Sequence, residues 1–343
     1  MVTLRDVAQA AGVSSATASR ALSHPGRVTP VRRARVERAA TELGYRRLST
    51  TPAPRRLGLV VPDLQNPYFS GVTKGIQHRV RLAGLSLLIA DSDEDPHLEV
   101  ELVQQMAPQV DAIVLCSPRM PDHVLMSLVI EPPIVLINRE AAGVPSVVVD
   151  NASGIRQAVR HLHALGHRRI AYAGGNHGSW SERERAAGIA ASAQEAGIEA
   201  IHLGNFPTTF AGGVAAADLV AASGVSAVVA HNDLMAVGIL DRLRQRGTLV
   251  PEQVCVVGFD DVPAATYVSP ALTTVQVPLH LLGRIAVDLL ISPESVPDAV
   301  RGTCRMPVSL VVRGSTGPAP QTLRPQPQNQ PQARAPAADL RNL

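Results

Sequence analysis

The sequence predicts a small all-α helix-turn-helix headpiece joined to an α/β domain of two lobes with parallel sheets. Three observations carry that reading. Charge is divided along the chain: residues 1–56 hold eleven arginines against Asp6, Glu37 and Glu42, a net +8, whereas residues 57–313 hold 18 basic against 25 acidic residues, a net −7. The first 45 residues contain three helical segments, each with start and stop signals. From Leu57 onward, short β-branched runs alternate with helical stretches, the pattern of parallel sheets covered by helices. A basic head on an acidic body suits a head that meets a polyanion.

Thr3 followed by Asp6 is a capping-box pattern, and Leu4, Val7, Ala8 and Ala11 recur at helical spacing. Gly12 then supplies a stop and Ser14 a second N-cap, so a second short helix follows across a tight turn. Thr29, Pro30 and Gly44 frame a third helix, with Val31, Val36, Ala40 and Leu43 expected to face the other two. The second helix exposes Ser15, Ala16, Thr17 and Arg20 where a recognition helix enters a major groove. Arg20 can fork onto guanine, Ala16 can touch a thymine methyl, and Ser14, Thr17 and Ser19 can bond phosphates. Thr3, Arg27 and Arg33 complete the candidate DNA-binding set.

The junction 46–56, "RRLSTTPAPRR", packs four arginines and two prolines into eleven residues and reads as an extended tether. In the body, 57–313, the runs "LGLVV", "LSLLIA", "DAIVLC", "PIVLIN", "SVVVD", "RIAYAGG", "SAVVAH" and "VCVVGFDD" exceed one ordinary sheet. A break near "DNASG" divides them into lobes of 57–150 plus 277–300 and 151–276 plus 301–313. Ligands of open α/β sheets bind beyond the carboxyl ends of strands. The polar residues there, Asp91, Arg139, Arg185, Asn232 and Asp260, form a candidate effector pocket with Phe69, Trp180 and either Phe206 or Phe210 as apolar faces. Charged and amide groups that bond neighbouring hydroxyls, beside a ring that covers C–H faces, suit a sugar-like ligand. Alanine at Arg185 or Asp260 is expected to abolish effector response while sparing folding.

His161, His163 and His167 read as solvated helix-end residues rather than metal ligands, and Cys116, Cys255 and Cys304 as packing residues without a C-x-x-C pair. Residues 314–343 are rich in Pro and Gln and read as a disordered tail. No apolar run reaches membrane-span length and the N-terminus lacks a signal-peptide pattern, so a cytoplasmic protein without a membrane partner is expected. The dinucleotide fingerprint, the P-loop, G-x-S-x-G and metal spacings are all missing, which argues against an enzyme and against any cofactor or metal. The competing reading is a cytoplasmic sugar-binding or sugar-metabolising α/β protein with an incidental basic head.

"TLRDVAQAAGVSSATASRALS…RVTPVRRARVERAATELGY" resembles the headpiece of the lactose/galactose repressor (LacI/GalR) family. The similarity continues through "VVPDLQNPYF", "LINR", "HLHALGHRRIAYAGG", "RERAAG", "HNDLMAVGIL", "VCVVGFDD" and "PALTTV" to about residue 313. The resemblance implies the two-lobed fold of periplasmic sugar-binding proteins and a repressor that binds a pseudo-palindromic double-stranded operator as a homodimer or tetramer. It also implies effector contacts at Arg139, Arg185, Asn232 and Asp260. Four departures stand out. Ala18 replaces a usual Val, Asn138 a usual Asp and His231 a usual small residue, and the junction lacks the family's N-x-x-A-x-x-L helix. The missing helix implies weaker operator bending and looser coupling.

Overall fold

The computed structural model describes residues 3–23, 28–43, 55–128, 132–291 and 302–320. They divide into two compact units, 1–53 and 54–343. The tether 46–54 and the residues from 321 onward lie outside the described residues, as does Arg27.

The first unit contains α1 (Leu4–Ala10), α2 (Ser15–Ser23) and α3 (Pro30–Glu42). The capping box closes, with the Thr3 N–H donating to Asp6 Oδ2 at 2.7 Å and the Asp6 N–H to Thr3 Oγ1 at 3.4 Å. Gly12 takes the left-handed conformation that a side chain would strain, φ 62°. Ser14 Oγ then accepts the Thr17 N–H at 3.2 Å and starts α2. Val7, Ala8, Ala11, Ala18, Ala21, Val36 and Ala39 form the core, whose alanines let the helices approach closely. The expected inward face of α3 is corrected: Val31 is 73 % exposed and Leu43 lies at the surface, while Ala39 is buried. Helix α1 has only seven residues, about 10 Å of axis, and is too short to cover all 13 residues of α3.

The second unit is built on two six-stranded sheets. The first comprises β1 (Arg56–Val61), β2 (Ser86–Asp91), β3 (Ala112–Cys116), β4 (Ile134–Ile137), β5 (Ser146–Val149) and β11 (Thr303–Met306), in the order β11-β5-β4-β3-β1-β2. All of its pairings are parallel. Helices α4 (Pro67–Leu82), α5 (Pro96–Met106), α6 (Asp122–Leu128) and α12 (Leu279–Ile291) accompany it. The second sheet comprises β6 (Arg169–Gly174), β7 (Glu199–Asn205), β8 (Ala227–Ala230), β9 (Cys255–Asp260), β10 (Thr273–Gln276) and β12 (Ser309–Val311), in the order β12-β10-β9-β8-β6-β7. Only its β10–β12 pairing is antiparallel. Its helices are α7 (Asn151–Ala164), α8 (Trp180–Ala196), α9 (Phe210–Ser223), α10 (Asp233–Gln245) and the short α11 (Ala264–Tyr267). Central strands such as β3, β4, β5 and β8 are buried along their whole length, which explains their unbroken apolar sequence. Glycines permit close helix crossings: a Cβ at Gly75 of α4 would strike the His280 carbonyl of α12, and one at Gly213 of α9 the Met235 carbonyl of α10.

Three expected boundaries are corrected. Arg55 and Arg56 belong to the body, because both N–H groups donate to Asp111 Oδ2, at 2.7 and 2.9 Å, and Arg56 opens β1. Residues 303–306 belong to the first lobe, because β11 pairs with β5, and only β12 returns to the second. The chain therefore crosses between lobes three times, at 150, 277–278 and 307–308.

The third correction is that residues 314–320 are part of the body. Ser315 is fully buried; its Oγ donates to Val256 O at 2.6 Å and accepts the Thr273 N–H at 2.8 Å, tying β9 to β10. The histidines expected in solvent serve this segment: His167 is fully buried between Ser226 Oγ, at 2.7 Å, and Gly317 O, at 3.1 Å, and His161 Nε2 lies 3.0 Å from Thr316 Oγ1. Ser315→Ala strands a buried N–H and is expected to cost about 1–3 kcal/mol. Urea denaturation of the full chain measures this, and an unchanged midpoint would mean that the segment is dispensable.

Candidate functional site

In the headpiece, Ser15, Ala16 and Arg20 lie exposed along α2, and Arg20 Nε folds back onto Ala16 O at 3.2 Å. Ser14 Oγ and Thr17 Oγ1 are 2.9 Å apart, so the cap hydroxyl and its neighbour form one polar step at the N-terminus of α2. That terminus also carries the positive end of the helix dipole. Ser19 is half-buried on the same helix, and Thr3 is exposed but engaged by Asp6. Arg33 is exposed on α3 and loosely paired with Glu37 at 3.3 Å.

In the body, the carboxyl ends of β3, β4, β8 and β9 converge on a cleft of about 350 Å³, its solvent mouth included. Asn66, Tyr68 and Phe69 line it from the start of α4, Ser117, Arg119 and Asn138 from the loops after β3 and β4, and Ser179, Ser181, Arg185, Thr208, His231, Asn232 and Asp260 from the second lobe. Ser117, Asn138 and Asp260 have positive φ, 47°, 55° and 119°. Such strain at residues with side chains is held by surrounding structure and gathers at functional sites.

Arg185 organises the floor. It is 2 % exposed; its Nε donates to Asn151 Oδ1 at 2.9 Å, Nη1 to the His231 carbonyl and Nη2 to Asp260 Oδ1 at 3.3 Å. Its guanidinium carbon stands 3.7 Å from the centroid of the Phe259 ring. Burial pushes the Asp260 carboxyl up to about 7, although Arg185 pulls the other way. Asn232 caps α10, accepting the Met235 N–H at 3.0 Å and donating to Thr208 O at 3.0 Å. At the first position of α10, Asp233 accepts from Thr274 and Val262, and burial raises its carboxyl well above the ordinary range. The rings of Tyr68 and Phe69 meet edge to face at 5.2 Å. Tyr68 Oη accepts from Asn138 Nδ2 at 2.6 Å, while Asn138 Oδ1 is buried without a partner among the described residues.

Phe69, Arg185, Asn232 and Asp260 thus come together; neither Phe206, packed against the core of the second lobe, nor Phe210, 43 % exposed, lines the cleft, and Arg139, Asp91 and Trp180 do not line it either. Arg139 is 4 % exposed and spends its guanidinium on Pro118 O, Met120 O and Asp122, which pins the loop after β3. Asp91 is exposed and holds the 62–65 turn by accepting the Leu64 N–H at 2.8 Å. Trp180 is the half-buried first residue of α8, while its neighbours Ser179 and Ser181 face the cleft. The sequence reading missed Asn66, Tyr68, Ser117, Arg119, Ser179, Ser181 and Thr208 as lining residues. It also missed Glu94, which pairs with Arg119 at 2.7 Å and accepts from Asn176 of the other lobe at 3.3 Å. Among the described residues no group of three His, Cys, Asp or Glu is placed to hold a metal ion, and no helix is long and apolar enough to cross a membrane.

Comparison with known proteins supplies the context. Residues 3–47 match the family of bacterial regulatory proteins, lacI family, and residues 159–316 match a periplasmic binding protein-like domain. The HTH-type transcriptional regulator GalS of Salmonella typhimurium is 34 % identical over 92 % of this chain and 96 % of its own, and the HTH-type transcriptional repressor CytR of Escherichia coli is 32 % identical over 93 % and 97 %. Among solved structures, the transcriptional regulator CelR in complex with cellobiose has a TM-score of 0.67 at 32 % identity, covering 92 % of this chain and 100 % of that one. The lac repressor dimer bound to operator and the anti-inducer ONPF has a TM-score of 0.69 at 27 % identity, covering 92 % and 99 %. A regulator from Enterococcus faecium with bound ribose scores 0.68 at 25 % identity, covering 77 % and 99 %. The similarity spans both the helix-turn-helix unit and the two-lobed unit, and the chain belongs to the lacI family of bacterial regulatory proteins.

Proposed function

We propose that this regulator is a repressor that acts as a cytoplasmic homodimer on a pseudo-palindromic operator and is controlled by a small, sugar-like effector bound between its lobes. The observation that carries the effector reading is the cleft itself: amide, hydroxyl and guanidinium groups from both lobes converge beside the Tyr68–Phe69 pair, an arrangement suited to hydroxyls on one side and C–H faces on the other. The cellobiose and ribose bound by two related regulators support the class of ligand, and the lac repressor dimer on its operator supports the assembly. In this reading the cleft binds rather than catalyses, in keeping with relatives that are transcriptional regulators. Among the described residues His231 is bonded to Glu182 and Tyr172 and to no serine hydroxyl, so the cleft lacks an activated nucleophile of the serine–histidine kind.

A gel shift against genomic fragments, combined with a thermal-shift screen of sugars, tests the reading. One fragment should be retained selectively at moderate salt and released by a stabilising sugar; indiscriminate retention, or release by none, would overturn it. Within the headpiece, Arg20→Ala is expected to cost ~1–3 kcal/mol on the specific operator and little on random DNA, because a guanine fork reads sequence. Arg33→Ala should weaken both alike and reduce the salt slope by about 1. Equal losses on random DNA from Arg20→Ala would refute the base-reading role.

A further inference from the structure

Glu182 sits in the first turn of α8, 3 % exposed, and gathers four partners. Tyr172 Oη and the Gly175 N–H both donate to its Oε2 at 2.7 Å, Asn205 Nδ2 donates to Oε1 at 3.3 Å, and His231 Nδ1 lies 2.7 Å from Oε2. Burial raises this carboxyl, yet the donors His231, Gly175 and Tyr172 outweigh it and hold it below the ordinary carboxylate range. An ionised carboxylate only accepts, so the proton between these two groups belongs to His231 Nδ1.

The rest of the ring follows from that assignment. His231 is 6 % exposed, and burial, followed by the charge of Arg185, lowers it to about 4, so the imidazole is neutral. A neutral ring protonated on Nδ1 carries its lone pair on Nε2. The Gly175 backbone lies against the Cγ, Cδ2 and Nδ1 edge, where a Cβ would collide. Nε2 has no protein partner among the described residues, and His231 lines the cleft. Both cleft cations are engaged by acids of their own, Arg119 by Glu94 and Arg185 by Asp260.

We propose that Glu182 fixes His231 as the Nδ1–H tautomer, so that Nε2 faces the cleft as a hydrogen-bond acceptor and makes His231 the residue that selects a neutral polyhydroxyl ligand over a phosphorylated or carboxylated one. A ligand hydroxyl donates a hydrogen bond to His231 Nε2, and Glu182 is the positioning residue. A bare nitrogen lone pair offers nothing to an anionic oxygen, so a phosphate at this point meets repulsion instead of a bond. The inference rests on the effector function proposed above and adds the chemistry by which that site chooses.

The first test needs no ligand. In the full-length chain labelled with 15N-histidine and assigned by His231→Phe, ring correlations at pH 6–8 should show the His231 proton on Nδ1 alone; a proton on Nε2, or a doubly protonated ring at pH 7, overturns the inference. Calorimetry with cellobiose, D-ribose and D-ribose 5-phosphate supplies the second test. A neutral sugar should bind, the phosphate ester should not, and His231→Phe should weaken the neutral sugar about five- to tenfold. Glu182→Gln, whose amide can donate to Nδ1, should move the proton to Nε2 with a similar loss, and Glu182→Asp should restore the tautomer. If Glu182→Gln does not fold, the wild-type spectrum and His231→Phe decide alone. Neutral-sugar binding untouched by His231→Phe sinks this inference and leaves the effector reading standing, whereas binding by no neutral sugar at all overturns both.

Discussion

Arg185→Ala is expected to destabilise the body by about 3–5 kcal/mol, besides removing effector response. The sequence alone led to a different expectation, that this substitution would spare folding. The difference is burial: three of the guanidinium's nitrogens are bonded inside the protein, to Asn151, the His231 carbonyl and Asp260, and its face lies on Phe259. Truncation leaves the Asp260 carboxyl, 4 % exposed and already raised to about 7 by burial, without its cation; breaking one side of a buried ion pair costs about that much, the lower end applying where the carboxyl takes up a proton instead. Asp260→Asn keeps the shape and a hydrogen-bonding oxygen for Arg185, so its cost should be well below that of Arg185→Ala. Urea denaturation of the full chain reads both. An Arg185→Ala protein within about 0.5 kcal/mol of wild type would show that the pair is dispensable to folding and would return Arg185 to a purely ligand-facing role.

The contrast between Arg185 and Arg139 marks how far the sequence could be read. Both follow from strand-end or helix-start positions, and both are almost fully buried, but only one reaches the cleft. What turns Arg139 away is Asp122 and two carbonyls of the loop after β3, partners about 20 residues distant that no local pattern identifies. Local signals served well where local physics decides: the Thr3–Asp6 box, Gly12, and the central strands whose two buried faces write continuous Val and Ile runs. Edge strand β7, with neither face fully buried, carries no such run and was passed over. The segment after 313 reads as tail because its composition is polar, yet Ser315, Thr316 and Gly317 are held by hydrogen bonds rather than apolar burial. The Glu182–His231 pair was invisible for the same reason: its 49-residue separation in sequence becomes 2.7 Å only because β8 pairs with β6, whose carboxyl end holds Glu182 through Tyr172 and Gly175.

That pair also sets the second large effect, which appears in the pH dependence of stability. His231 has a folded pKa of about 4 against roughly 6.5 in an unfolded chain. A base whose pKa is lowered by folding takes up its proton preferentially in the unfolded state, so its contribution is intact above about pH 6.5 and is lost as pH falls towards 4. From pH 7 to pH 4.5 this amounts to roughly 2–3 kcal/mol at 1.36 kcal/mol per unit. His161 and His167, lowered chiefly by burial, act in the same direction at the 315–317 segment. Asp260 opposes them: its carboxyl is raised to about 7 by burial, so the native state prefers its protonated form and loses stability as pH rises from about 4 to 7. The wild-type curve therefore mixes opposing terms, and a difference isolates the histidine. The groups facing His231 are Glu182, Tyr172, Arg185 and Arg119, with His202 behind Glu182 and Asp260 behind Arg185. Measured by urea denaturation at both pH values, the stability of His231→Phe relative to wild type should improve by roughly 2–3 kcal/mol on going from pH 7 to pH 4.5, because the variant has no imidazole to protonate. A relative stability that stays constant across the window would mean that folding leaves the proton affinity of His231 unchanged, and a change of the opposite sign would mean that the folded ring holds its proton more tightly, so that Nε2 is a donor and the cleft favours the anionic ligands that the neutral ring turns away.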